Sequence, residues 1–152
     1  MLDRRVEILK TLRATPVVAR ALVDGVEDAR LRRRPAPGEW AIIEVVAHLA
    51  DTEERALGRV RRMVAEDNPF LEPFDQEALA EERRYLGLER EGELARLEQL
   101  RRQHLVLLEG LDGSGWERTG RHGQHGRMSV ELYETHVAAE EVDHLAQLAR
   151  LL

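Results

Sequence analysis

The sequence predicts an all-α fold, a four-helix bundle with one loop-rich connection over residues 111–128. Three observations carry this. Leu, Ala, Glu and Arg dominate the chain while aromatic residues make up only 4%, which is the composition of a helical protein. No segment alternates apolar and polar residues over a useful strand length. The five prolines, at 16, 35, 37, 69 and 73, all fall in the first half near helix boundaries, leaving the second half free to form long helices.

A first helical region runs from about Asp3 to Asp24, with Thr15-Pro16 reading as a break in which Thr15 caps and Pro16 enters the first turn of a continuation. Arg32 to Gly38, interrupted by Pro35 and Pro37, is a loop. The second helix, about Ala41 to Glu66, spaces Ile42, Val45, Val46, Leu49, Leu57, Val60 and Val64 for packing and stops at Asp67-Asn68-Pro69. From Asp75 to Leu111 the pattern is helical, but Gly87 and Gly92 predict a short helix, a kink and a long third helix from about Leu88. Ser129 caps a fourth helix that reaches the end of the chain. There is no internal repeat, and 152 residues suit a single domain over 1–152.

Charge and cysteine usage narrow the function. Lys and Arg contribute 23 positive charges against 29 from Asp and Glu, a net of −6. That disfavours a nucleic-acid partner, because duplex binding rests on a concentrated cationic face. The N-terminal residues are charged throughout, and no apolar run of about 18 residues is available to span a bilayer. A cytoplasmic protein with no membrane partner is expected. With no cysteine, disulfides, thiolate zinc sites and cysteine nucleophiles are excluded, so any metal must be held by His, Asp or Glu.

Six histidines are present, at 48, 104, 122, 125, 136 and 144. On a helical wheel centred on His144, Glu140 falls at about −40°, Val137 at about +20° and Tyr133 at about −20°. Glu140 and His144 thus share the apolar side of the fourth helix, where a common cation would account for them; a solvated Glu–His pair is the alternative. His136 lies about 12 Å upstream along the axis, too far to share an ion with His144. His48 lies on a stripe with Glu44, Thr52, Arg55 and Arg59 that either faces water or lines a polar cavity. His48, Glu140 and His144 would make a three-ligand site with open positions; a hydrogen bond from His48 to Glu44 or Asp51 is the plainer reading. His122 and His125, in the Gly-rich segment, are substrate contacts, outer ligands or simple loop polarity. His104 with Arg101-Arg102 reads as a solvated face of the third helix, and Trp40 and Trp116 as packing at helix ends.

The segment Trp40-Ala-Ile-Ile-Glu44-Val-Val-Ala-His48-Leu-Ala-Asp51-Thr-Glu53 resembles the W-S-x-x-E-x-x-x-H-L-x-D-x-E segment of the DinB/YfiT-like superfamily. So do Asp67-Asn68-Pro69 with Tyr85, the His122 to Ser129 lead into the last helix, and the ending Asp143-His144-Leu145-Ala146-Gln147-Leu148. The resemblance covers nearly the whole chain in the family's order. It implies a four-helix bundle, often a homodimer, with a divalent metal (Zn, Ni, Mn or Fe) held by three histidines. His48 matches the first ligand and His144 the last, while position 140, the middle ligand, is Glu here. Asp143 and Gln147 are then candidates to orient a ligand. The activities implied are transfer of a low-molecular-weight thiol such as bacillithiol to a small-molecule substrate, or hydrolysis. Arg55 and Arg59 would receive the carboxylates of such a cofactor; pairing with acids across the bundle is the alternative. The alternative is a metal-free bundle that serves as a stress or interaction protein.

Overall fold

The computed structural model describes residues 1–152. Four long helices dominate: α1 (Arg4–Val23), α3 (Ile42–Ala65), α5 (Arg90–Glu109) and α7 (Val130–Leu151). Shorter helices α2 (Asp28–Leu31), α4 (Gln76–Glu82) and α6 (Gly113–Trp116) lie in the connections. α1 and α3 each pack on both α5 and α7, so the first two long helices occupy opposite corners of the bundle. Two apolar clusters fill it, one around Leu12, Met63, Leu108 and Tyr133, the other around Val46, Leu49, Leu97 and Leu148.

α3 is the central element and is buried along most of its length. Ala41 has no side chain with which to cap it, and Glu44 compensates: its carboxylate accepts the Ala41 N–H at 3.0 Å and pairs with Arg34 at 2.7 Å. At α7 the expected cap is in place, with Ser129 Oγ accepting the Leu132 N–H at 3.1 Å.

α1 runs unbroken through Pro16 rather than restarting there. A proline inside a helix leaves the carbonyl four residues earlier without its donor. Here that carbonyl belongs to Leu12, and the guanidinium of Arg101 donates to it. The expected break at Thr15-Pro16 is therefore replaced by a hydrogen bond from a neighbouring helix.

That arginine belongs to a buried ionic network, which corrects the expectation of a solvated face around Arg101 and His104. Arg101 meets Glu53 at 2.7 Å and also Glu141. His104, fully buried, is bonded through Nδ1 to Glu53 and through Nε2 to Glu134, both at 2.8 Å. With an acceptor at each ring nitrogen, His104 is held as the imidazolium. Burial alone would lower its pKa, but Glu134 and Glu53 outweigh burial and push it up to about 10.

The segment expected to be wholly loop contains a small sheet. β1 (Phe70–Leu71) pairs in parallel with β2 (Thr119–His122), which forms an antiparallel hairpin with β3 (Gly126–Ser129). Gly120 is required where this sheet meets the bundle, since a Cβ there would lie 3.0 Å from both Leu71 Cδ1 and Met63 Cγ. The sheet brings the hairpin tip, residues 122–126, against α3 and α7 at one end of a cavity.

Candidate metal centre

His48 and His144 face each other across the α3–α7 interface, with their Nε2 atoms 3.1 Å apart. Two nitrogens bound to one ion at about 2.0–2.1 Å can stand at most about 4 Å apart, so this separation fits a shared cation. His48 is 3% exposed. Its ring is wedged by Trp40, whose centroid lies 4.9 Å away. The plainer reading of His48 as a partner of Glu44 or Asp51 does not hold. Glu44 is taken by Arg34 and the Ala41 N–H, and Asp51 by Tyr85, Arg83 and Arg96. Burial, together with the neighbouring His144, drives the His48 pKa down to about 4, which keeps the ring neutral.

On the other side, Gln147 Oε1 lies 3.1 Å from His144 Nδ1. An amide oxygen can only accept, so Nδ1 carries the proton and Nε2 the lone pair. Of the two residues expected to orient a ligand, Gln147 bonds to His144, while Asp143 is exposed on the outer side of α7.

Glu140 stands apart from this pair. It lines the same cavity as His48, but its side chain is 55% exposed and its carboxylate lies 3.7 Å from His136 Nε2. No three His, Asp or Glu side chains converge as a ready-made ligand set. The structure thus brings together His48 and His144 of the expected triad and leaves Glu140 turned toward a different histidine.

The cavity beside His48 has a volume of about 530 Å³. One wall is the α3 stripe, where Thr52, Arg55 and Arg59 follow His48 at helical spacing. Thr52 Oγ1 approaches His48 Nε2 at 3.4 Å. α7 contributes Tyr133, His136, Val137 and Glu140. The hairpin tip brings His122, Gln124 and His125, and the segment before α4 adds Pro73, Phe74 and Gln76. His122 and His125 thus line a cavity rather than decorate a loop. Arg55 lies over the Phe74 ring, and burial with the nearby Arg59 charge lowers its pKa to about 10. Arg59 donates to Tyr133 Oη at 3.5 Å and to the Glu72 carbonyl. Both expected anion-binding arginines therefore line the same cavity as His48.

No helix is long and apolar enough to cross a membrane.

Residues 11–148 match the sequence model of the DinB superfamily. The "Putative metal-dependent hydrolase GK0616" of Geobacillus kaustophilus is 31% identical over 146 residues, spanning 95% of this chain and 82% of that protein. A protein of the same description from Oceanobacillus iheyensis is 32% identical over 114 residues, 75% of this chain and 66% of its own length. Among solved structures, YfiT from Bacillus subtilis, described as a "probable metal-dependent hydrolase with an unusual four-helix bundle topology", superposes with a TM-score of 0.83 at 24% identity. That likeness covers 96% of this chain and 86% of YfiT.

Proposed function

The chain belongs to the DinB superfamily, and from that premise we propose that it is a metal-dependent hydrolase of small molecules, with its divalent ion held by His48 and His144 and completed by Glu140. The observation that carries this is the 3.1 Å approach of His144 Nε2 to the Nε2 of His48, a residue that lines a polar cavity. The names of the relatives support hydrolysis.

A divalent ion at this position supplies Lewis-acid chemistry, polarising a substrate oxygen and lowering the pKa of water or of a thiol. The chain's own residues do the rest. Gln147 fixes the His144 tautomer, and Trp40 packing holds the His48 ring against rotation. Glu140, free to turn on an exposed side chain, lies one helical turn before His144, and a carboxylate is a chemically suitable replacement for the middle histidine. Residues of the hairpin and of the segment before α4 close the cavity laterally, so a bound molecule gives up part of its water shell.

Thiol transfer is the second reading. It is favoured by the absence of cysteine from the chain, which leaves no protein thiol to compete for the ion. Activity of metal-loaded protein against a panel of small esters and amides, set beside a conjugation assay with a low-molecular-weight thiol, separates the two. Hydrolysis that falls to background in His48→Ala and His144→Ala supports the first. Thiol-dependent conjugation without hydrolysis replaces it with the second. Neither activity in metal-loaded protein removes both.

A further inference from the structure

The chain is acidic overall, at −6, yet the cavity beside His48 is not. Arg55 and Arg59 both line it, and Glu140 is the one carboxylate among the lining residues. Other arginines reaching inward are matched: Arg83 and Arg96 meet Asp51, and Arg101 meets Glu53 and Glu141. Arg55 meets no carboxylate, and its Nη1 is buried with no hydrogen-bond partner. The acceptors of Arg59 are neutral, a tyrosine hydroxyl and a backbone carbonyl. Two like charges four residues apart on one helix repel, and desolvating a guanidinium without an acceptor is costly. Arg55 has the Phe74 ring beneath it, which leaves its Nη1 without a hydrogen-bond acceptor. An anion from outside would supply one.

The hairpin adds a third donor. His122 Nδ1 accepts the backbone N–H groups of Gln124 and His125, at 3.1 and 3.3 Å. Its Nε2–H is therefore the ring's free donor, on a side chain that lines the same cavity.

We infer that Arg55, Arg59 and His122 form an oxyanion-binding subsite, and that the substrate is a small molecule whose carboxylate or phosphate this subsite holds while its reacting bond lies at His48 and His144. The placement of the reacting bond rests on the proposed metal centre; the anion subsite does not. Arg55 follows His48 by two turns, about 10 Å along the helix axis, so anion and reacting bond are separated by the length of a metabolite. A cavity of about 530 Å³ also suits a small molecule rather than a polymer.

The test is isothermal titration of the full-length, metal-free protein with sodium phosphate and, separately, sodium succinate, against sodium chloride at equal ionic strength. Saturable binding of one or both is expected. It should weaken at least tenfold in Arg55→Gln and in Arg59→Gln, and stay unchanged in the exposed-site control Arg127→Gln. Stronger binding of phosphate or of succinate assigns the group. Failure of wild type to bind either saturably, or equal binding by Arg55→Gln, overturns the inference. Melting gives an independent readout: removing an unpaired guanidinium should raise the melting temperature of Arg55→Gln in chloride, and phosphate should reverse the order of the two proteins. A variant that melts below wild type in chloride would show that Arg55 serves packing and would also overturn it. The metal reading is judged separately, by metal content in the double variant His48→Ala/His144→Ala.

Discussion

Gln147 accepts the Nδ1–H of His144 at 3.1 Å from three residues further along α7. This bond turns an ordinary helical histidine into one whose Nε2 lone pair is aimed at His48. Replacing such an orienting partner typically weakens metal affinity about 10–100-fold. Gln147→Ala should therefore keep the helical circular dichroism of wild type and lose affinity in that range, read by competition with a chromogenic chelator.

Position 140 offers a gain rather than a loss. Glu140→His restores the three-histidine set that the DinB/YfiT resemblance implies, one turn before His144. Tighter binding, on the order of tenfold, is expected in the same chelator competition. Glu140→Ala should weaken binding without abolishing it, because the two histidines remain 3.1 Å apart.

The buried network predicts a large stability effect away from the cavity. His104→Ala leaves Glu53 and Glu134 buried without their shared partner, and breaking a buried pair costs about 3–5 kcal/mol. Urea denaturation should show that loss with metal affinity unchanged.

His104 also sets a pH dependence. Its folded pKa stands at about 10 against an unfolded value of 6.5. The stabilisation is therefore fully present below about pH 6.5 and is lost as pH rises from there through 10. The groups facing it are Glu53 on α3 and Glu134 on α7, with Arg101 and Glu141 adjoining through Glu53. The melting temperature of wild type should fall across pH 7 to 10, and His104→Gln should flatten that slope.

The long helices were legible in the sequence because α3 spaces Ile42, Val45, Val46, Leu49, Leu57 and Val60 for packing beside the polar stripe of His48, and α7 carries Tyr133, Val137 and Leu148 on the side it shares with Glu140 and His144. The wheel placed Glu140 and His144 on the apolar side of α7 and left the His48 stripe open between solvent and a polar cavity; the two histidines meet, while the Glu140 side chain is 55% exposed. It could not show the rotamer of Glu140, since an exposed carboxylate one turn from both His136 and His144 can turn to either. The buried network was hidden for a related reason: Arg101 and His104 look solvated by residue type, and only the matching acids on α3 and α7 make their burial tolerable. Pro16 misled because the Leu12 carbonyl it leaves without a donor is satisfied by Arg101, 89 positions beyond Leu12. Strands of two to four residues are too short to show alternation, so the sheet escaped notice.

A metal centre at His48 and His144 makes a direct demand on metal content. Protein purified without chelator, then saturated with zinc and freed of excess, should retain one equivalent per chain by elemental analysis, and His48→Ala and His144→Ala should each retain none. A wild-type protein that keeps no ion, or variants that keep as much as wild type, would contradict a metal centre at these two histidines.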